Sequence, residues 1–69
     1  MIWSLVKVFE RDGFTFNRQH WDHLVYIKPG LKPPLVIPMY REVPVFVIKN
    51  LIRTASMSRE RYFDLLRND

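Results

Sequence analysis

The amino-acid sequence predicts a two-layer α+β domain with the order α-β-β-β-α and a short third helix, in which helices cover one face of a three-stranded antiparallel sheet. Near both ends of the chain, apolar residues recur at spacings of three and four, which is typical of helices. In between they recur at every second position or in short runs, which is typical of strands. The 69 residues suffice for one small domain, which we expect to span residues 1–69.

The first helix is predicted over Ile2–Asp12. One apolar stripe at helical spacing supports it, formed by Ile2, Leu5, Val6 and Phe9. Gly13 ends the helix, because glycine tolerates the left-handed conformation that closes many helices. Trp3 and Val8 widen the apolar surface, so we expect this helix to be covered on more than one side.

Three strands are predicted in the middle of the chain. Alternation from Phe14 to Gln19 indicates the first, and the apolar run from His23 to Lys28 indicates the second. The third is the short run Leu35–Ile37, closed by Pro38. Lys32-Pro33-Pro34 precedes it as extended chain, because proline fits a strand start or an edge. The short connections predict that neighbouring strands pair, in the order 1-2-3.

Two helices are predicted to follow. Pro44 suits the first turn of the longer one, whose apolar stripe is Val45, Ile48, Leu51, Ile52 and Ala55. Ser58 is the expected N-cap of a last short helix. That helix would dock through Tyr62, Phe63, Leu65 and Leu66. Both long helices should pack on one face of the sheet through Leu5, Phe9, Ile48 and Ile52.

Composition narrows the class of function. Eleven Lys and Arg against seven Asp and Glu leave a net charge of +4, which favours an anionic partner such as nucleic acid, although a basic chain alone decides nothing. The absence of cysteine excludes disulfides and thiolate metal sites. No apolar run approaches the ~20 residues that span a bilayer, and the start lacks the order of a signal peptide. We therefore expect a cytoplasmic protein.

The candidate chemistry lies at His20-Trp21-Asp22-His23. Histidine exchanges a proton near neutral pH and suits general acid–base catalysis, but either histidine is also compatible with a surface turn that has no task. A metal site is disfavoured. No third ligand is evident, and Asp22 would point away from the histidine if the strand has begun. We expect neither a metal nor a cofactor.

RNA-binding candidates surround this segment. Trp21 would stack on an unpaired base if exposed, or cover a sheet edge if not. Arg18, Lys28 and Lys49 are predicted to share one rim with His23 and to form a phosphate track. The alternative for each cation is a solvated surface position.

Several short motifs in one order resemble the HicA toxins of HicA–HicB toxin–antitoxin pairs, across nearly the whole chain. Asp12-Gly13-Phe14 matches the Gly and aromatic residue after the family's first helix. The run Arg18-Gln19-His20-Trp21-Asp22-His23 aligns without a gap with the family's Arg-Gln, basic residue and Gly-Ser-His. Leu24-Val25-Tyr26, Ile37-Pro38 and the stretch from Leu51 to Phe63 match the later family motifs.

The chain departs from the family pattern at four places. Trp21 and Asp22 replace the Gly and Ser before the histidine, which puts a bulky ring and a carboxylate close to where RNA would lie. Tyr40 occupies the position of a second histidine that is frequent in the family. Pro44-Val45-Phe46 stands where a Gly is usual near the start of the second helix.

The resemblance implies a fold like a double-stranded RNA-binding domain and a metal-independent endoribonuclease that cleaves mRNA, with His23 as general acid or base and a HicB-like antitoxin as its inhibitor. His20 is expected to matter less, because the family has only a basic residue there and the residue lies on a turn. The alternatives are a catalytically degenerate RNA-binding module and a protein-interaction subunit that binds a partner or forms a homo-oligomer.

Overall fold

A computed structural model describes residues 2–67. It contains six elements: α1 (Ile2–Arg11), β1 (Thr15–His20), β2 (His23–Lys28), β3 (Leu31–Pro38), α2 (Val45–Thr54) and α3 (Arg59–Arg67). The strands form one antiparallel sheet in the order β1-β2-β3. The predicted α+β architecture, element order and strand order are therefore confirmed. Within residues 2–67, no helix combines the length and apolarity needed to cross a membrane.

One apolar core joins the helices to the sheet. Leu24 and Tyr26 of β2, together with Leu35 and Ile37 of β3, form the sheet side of this core. Leu5 and Phe9 are buried in it, and Ile48 and Ile52 pack against it partly buried, so the four predicted helix contacts are confirmed. Because side chains alternate along a strand, the residues between these core positions lie on the helix-free face of the sheet.

The third strand is longer than predicted. It begins at Leu31, which pairs with Lys28, so the two prolines lie inside the strand and not before it. The register shifts between Tyr26 and Lys28, where Ile27 alone stands opposite residues 32–34. This irregularity lets an edge strand contain Pro33 and Pro34, which cannot donate to the ladder.

The second helix begins one residue later than predicted. Pro44 is its N-cap, with φ −58° and ψ 149°, and its carbonyl accepts hydrogen bonds from the N–H groups of Val47 and Ile48. Val45 was predicted to belong to the buried stripe and is instead exposed, as is Phe46. Helical spacing alone predicted that Val45 is buried, but the first turn of this helix lies outside the core.

The last helix has a defined start and docks through two residues. The Ser58 hydroxyl accepts a hydrogen bond from the Arg61 N–H at 3.0 Å, which confirms the predicted N-cap. Tyr62 and Leu65 are buried, whereas Phe63 and Leu66 are exposed, so only half of the predicted docking set is correct. The helix packs against α1.

Candidate functional site

The β1–β2 hairpin places both histidines on one surface. Only Trp21 and Asp22 separate the strands, so His20 and His23 are direct partners across the hairpin. Directly opposed residues project from the same face with Cβ atoms about 4.5–5.5 Å apart. Since Leu24 faces the core, this shared surface is the helix-free face of the sheet. His20 ends β1, and the prediction that it lies on the turn is wrong.

Arg18 lies on the same face as the two histidines. Phe16 pairs with Tyr26, a core residue, whereas Arg18 pairs with Val25, and the register shifts between them. Without the extra residue, Phe16 and Arg18 would share a face, as the alternation in the sequence indicates. Arg18 is two residues before His20 in an unbroken register and so shares its face, and the shift turns Phe16 to the other face.

Asp22 makes the closest contact to a histidine at this site. Its Oδ1 lies 3.0 Å from Nδ1 of His23, and the Asp22 and His23 side chains are 66% and 44% exposed. Asp22 was expected to point away from the histidine only if the strand had begun, and that condition is not met, because Asp22 belongs to the turn. With Nδ1 engaged, Nε2 is the nitrogen of His23 left to meet a ligand.

The turn is held by backbone contacts while its largest side chain stays in solvent. The side-chain Nε2 of Gln19 donates to the Trp21 carbonyl at 3.0 Å, and the backbone N–H of Met39 donates to the Asp22 carbonyl at 2.7 Å. Trp21 is 85% exposed, and its ring centroid lies 6.4 Å from that of His20. This exposure excludes the alternative in which Trp21 covers a sheet edge.

Lys28 lies apart from the hairpin turn. It is five residues beyond His23 on β2, or about 16 Å along the strand. Its ammonium group pairs with Asp12 at 3.1 Å, and it lies 5.4 Å from the centre of the Phe14 ring. Arg61 contacts the other oxygen of Asp12, also at 3.1 Å. Lys28 therefore ties β2 to the end of α1.

Lys49 belongs to a different surface. It lies on α2 and lines a cleft of about 280 Å³ between α2 and α3, with Arg53, Arg59 and mainly apolar neighbours. The helices cover the face of the sheet opposite to His23. Of the four predicted RNA-binding residues, the structure thus brings Arg18 and Trp21 to His23 and leaves Lys28 and Lys49 elsewhere.

The sequence singled out His20 and Asp22 but did not predict that His20 is the direct cross-strand partner of His23. The feature of the sequence that indicates this pairing is the length of the loop between the two strands. Two residues between strands are typical of a tight hairpin, and the residues that flank such a loop are direct partners.

The raised pKa values belong to the core and not to this site. Burial, followed by the charge of Glu10 and a hydrogen bond to it, raises the pKa of Tyr26. Burial alone raises the pKa of Tyr62. The Tyr26 hydroxyl donates to Glu10 Oε2 at 3.3 Å.

Among residues 2–67, no group of three or more potential His, Cys, Asp or Glu ligands is placed to hold a metal ion.

Comparison with protein families decides the classification. A family model described as the HicA toxin of bacterial toxin–antitoxin systems matches residues 4–57. The chain belongs to the HicA toxin family. HicA toxins are generally ribonucleases that pair with HicB antitoxins. The matched residues run from α1 to the end of the turn after α2 and include the whole hairpin. No curated protein and no solved structure gives a match.

The HicA pattern explains the shape of the turn. Trp21 stands where that pattern has Gly, and its φ is +60°, in the left-handed region that Gly adopts freely. For other residues this conformation costs roughly 1–2 kcal/mol. The turn therefore has a backbone conformation that suits Gly, although it carries Trp at this position.

Proposed function

We propose that this HicA toxin is a metal-independent endoribonuclease that cleaves mRNA, with His23 as a general acid–base catalyst. The observation that carries the proposal is the placement of His23: Asp22 holds its Nδ1 at 3.0 Å, and the ring is half-exposed on the same face as Arg18. RNA contains its own nucleophile, the 2′-OH. An enzyme therefore needs a group to move protons and a cation to stabilise the charge that develops on phosphorus.

Arg18 and Trp21 are proposed to hold the RNA at this site. The Arg18 guanidinium is exposed and has one internal hydrogen bond, to the Asn17 carboxamide oxygen at 3.1 Å, which leaves donors for a phosphate. Trp21 offers its ring to an unpaired base, a contact worth ~1–3 kcal/mol. We propose more distant backbone contacts for Lys28 and Lys49. Their share is smaller, because Lys28 already pairs with Asp12 and Lys49 lies on α2.

We further propose that a HicB-like antitoxin inhibits the toxin in the cytoplasm, where mRNA is available. An inhibitor that covers the hairpin turn would block His23 and remove Trp21 from solvent in one step. Quenching or shifting of the Trp21 fluorescence on antitoxin binding tests this placement, with Trp3→Phe as background to remove the other indole signal.

A catalytically degenerate RNA-binding protein is the second candidate. The observation in its favour is the exposed Asp22 carboxylate, which contacts His23 and would repel a phosphate placed there. The two candidates share the binding surface and differ only in whether the RNA is cut.

Cleavage of RNA by the purified protein, with and without chelator, separates them. We expect cleavage that survives chelator and that falls by about 10²–10⁴-fold in His23→Ala. His23→Asn is the matched control, because its amide can still donate to Asp22 but cannot transfer a proton. A His23→Ala protein as active as the parent contradicts the catalytic role, and a parent that binds RNA without cutting it supports the degenerate alternative. Circular dichroism checks that each variant is folded.

A further inference from the structure

We infer that His20 is a second catalytic residue, the general acid that protonates the leaving 5′-oxygen while His23 accepts the proton of the 2′-OH. This inference rests on the proposed ribonuclease function and deepens it. It replaces the expectation of a single catalytic histidine with a pair built by the hairpin register.

The first support is the geometry of the pair. His20 and His23 are direct cross-strand partners, and the backbone of each is part of a regular strand. Their side chains leave the same face with Cβ atoms about 4.5–5.5 Å apart. Two imidazoles at this spacing can reach both sides of one phosphate, where the attacking and the leaving oxygen lie.

The second support is the difference between the two rings. Oδ1 of Asp22 lies 3.0 Å from Nδ1 of His23, a contact that favours a proton on Nδ1 and leaves Nε2 to act as the base. Within residues 2–67 the His20 side chain has no hydrogen bond or ion pair, and its ring contact is with the tilted ring of Trp21. Because a carboxylate lies beside the His23 ring and not beside the His20 ring, we give the role of base to His23 and the role of acid to His20.

The proposed step is balanced without any further reagent. Nε2 of His23 takes the proton of the 2′-OH as the 2′-oxygen forms a bond to phosphorus. The bond from phosphorus to the 5′-oxygen breaks, and that oxygen takes a proton from the His20 imidazolium. The products are a 2′,3′-cyclic phosphate and a 5′-hydroxyl end. Arg18, on the same face, is placed to neutralise the non-bridging oxygens.

A substrate with a better leaving group tests the acid role directly. The probe is an RNA oligonucleotide in which sulfur replaces the bridging 5′-oxygen at a linkage that the parent cleaves in the all-oxygen oligonucleotide. A thiolate leaves without being protonated, so a missing general acid no longer matters. His20→Ala should lose about 10²–10⁴-fold in kcat/KM on the oxygen substrate and regain most of that loss on the sulfur substrate. His23→Ala should fail on both.

The dependence of rate on pH gives a second readout. The parent should show a bell-shaped profile of kcat/KM, because one histidine must be unprotonated and the other protonated. His20→Ala should lose the alkaline limb of this bell and retain the acid limb. His20→Asn, which is polar but transfers no proton, should behave as His20→Ala does.

The outcomes are distinguishable. Equal loss by His20→Ala on both substrates would mean that His20 only supports the structure, and full activity of His20→Ala would mean that it has no role. Either result overturns the inference and leaves His23 and the proposed function intact. A parent that cleaves no RNA, so that no such linkage can be found, overturns the ribonuclease function and the acid–base pair with it.

Discussion

Asp22 and His23 are neighbours in the chain, yet their side chains meet, with Oδ1 of Asp22 3.0 Å from Nδ1 of His23. Successive residues of a strand point to opposite faces, so this contact requires that one of the two lies outside the strand. The two-residue turn meets that requirement. In the proposed ribonuclease this contact would give Asp22 two opposing effects, because it would orient the ring of His23 and would also repel phosphate.

Substitution of Asp22 should separate these effects. In Asp22→Ala we expect kcat to fall by about 10- to 100-fold because the His23 ring is no longer held, and KM to fall because a negative charge is removed. Asp22→Asn should retain more of kcat, since its amide oxygen still accepts from Nδ1. Steady-state kinetics on one RNA substrate measure both constants. A kcat of Asp22→Ala equal to that of the parent would exclude a positioning role.

Trp21→Gly should make the protein more stable and a weaker RNA binder. The backbone at this position has φ of +60°, so Gly relieves about 1 kcal/mol of strain. Loss of the ring should weaken binding to single-stranded RNA by ~1–3 kcal/mol. Trp21→Ala is the matched control, because it removes the ring and keeps the strain. Urea unfolding and a binding titration check the two effects, and unchanged affinity in both variants would rule out stacking.

Arg18→Ala should flatten the dependence of RNA affinity on salt by about one phosphate contact, or ~0.7 log units of affinity per log unit of salt. Lys7→Ala serves as control, because it removes the same charge from an exposed position on α1. Lys28→Ala should change the slope by less than one contact and should lower stability, since Lys28 pairs with Asp12. A larger change in the salt dependence for Lys28→Ala than for Arg18→Ala would indicate that RNA binds at the other end of β2.

The free energy of unfolding should decrease above pH 10 because of Tyr26. Burial, then the Glu10 charge and hydrogen bond, raises its pKa above the ordinary 10.0, so the folded protein holds this proton more tightly than the unfolded chain does. The stabilisation from Tyr26 is therefore fully present below pH 10, and it is lost as the pH rises through the pKa that Tyr26 has in the folded protein. Urea unfolding between pH 8 and about 11 should show a shallower decline in Tyr26→Phe than in the parent. The exposed Tyr40→Phe is the control. Identical declines in parent and Tyr26→Phe would contradict the assignment to Tyr26.

Much of the fold follows from local patterns in the sequence. The bounds of β2, the Ser58 cap and the stripe of α1 were all predicted, because spacing and cap residues act over a few positions. The Gly13 stop is also confirmed, with φ of +101°. The predictions are wrong where the burial of a residue depends on how its helix or strand packs against the rest of the protein. Val45 and Phe63 are examples, because both were predicted to be buried and are exposed.

The sequence by itself determined the α+β architecture, the family and the position of His23, because periodicity and short motifs are properties of neighbouring residues. Only the tertiary structure decided which side chains share a surface with His23. The strand register set His20 and Arg18 beside it and a bulge turned Phe16 to the other face. Lys28 lies at the far end of β2, where it pairs with Asp12. Register, bulges and ion pairs depend on residues that are distant in the chain. The hydrophobic periodicity of a single segment therefore does not predict them.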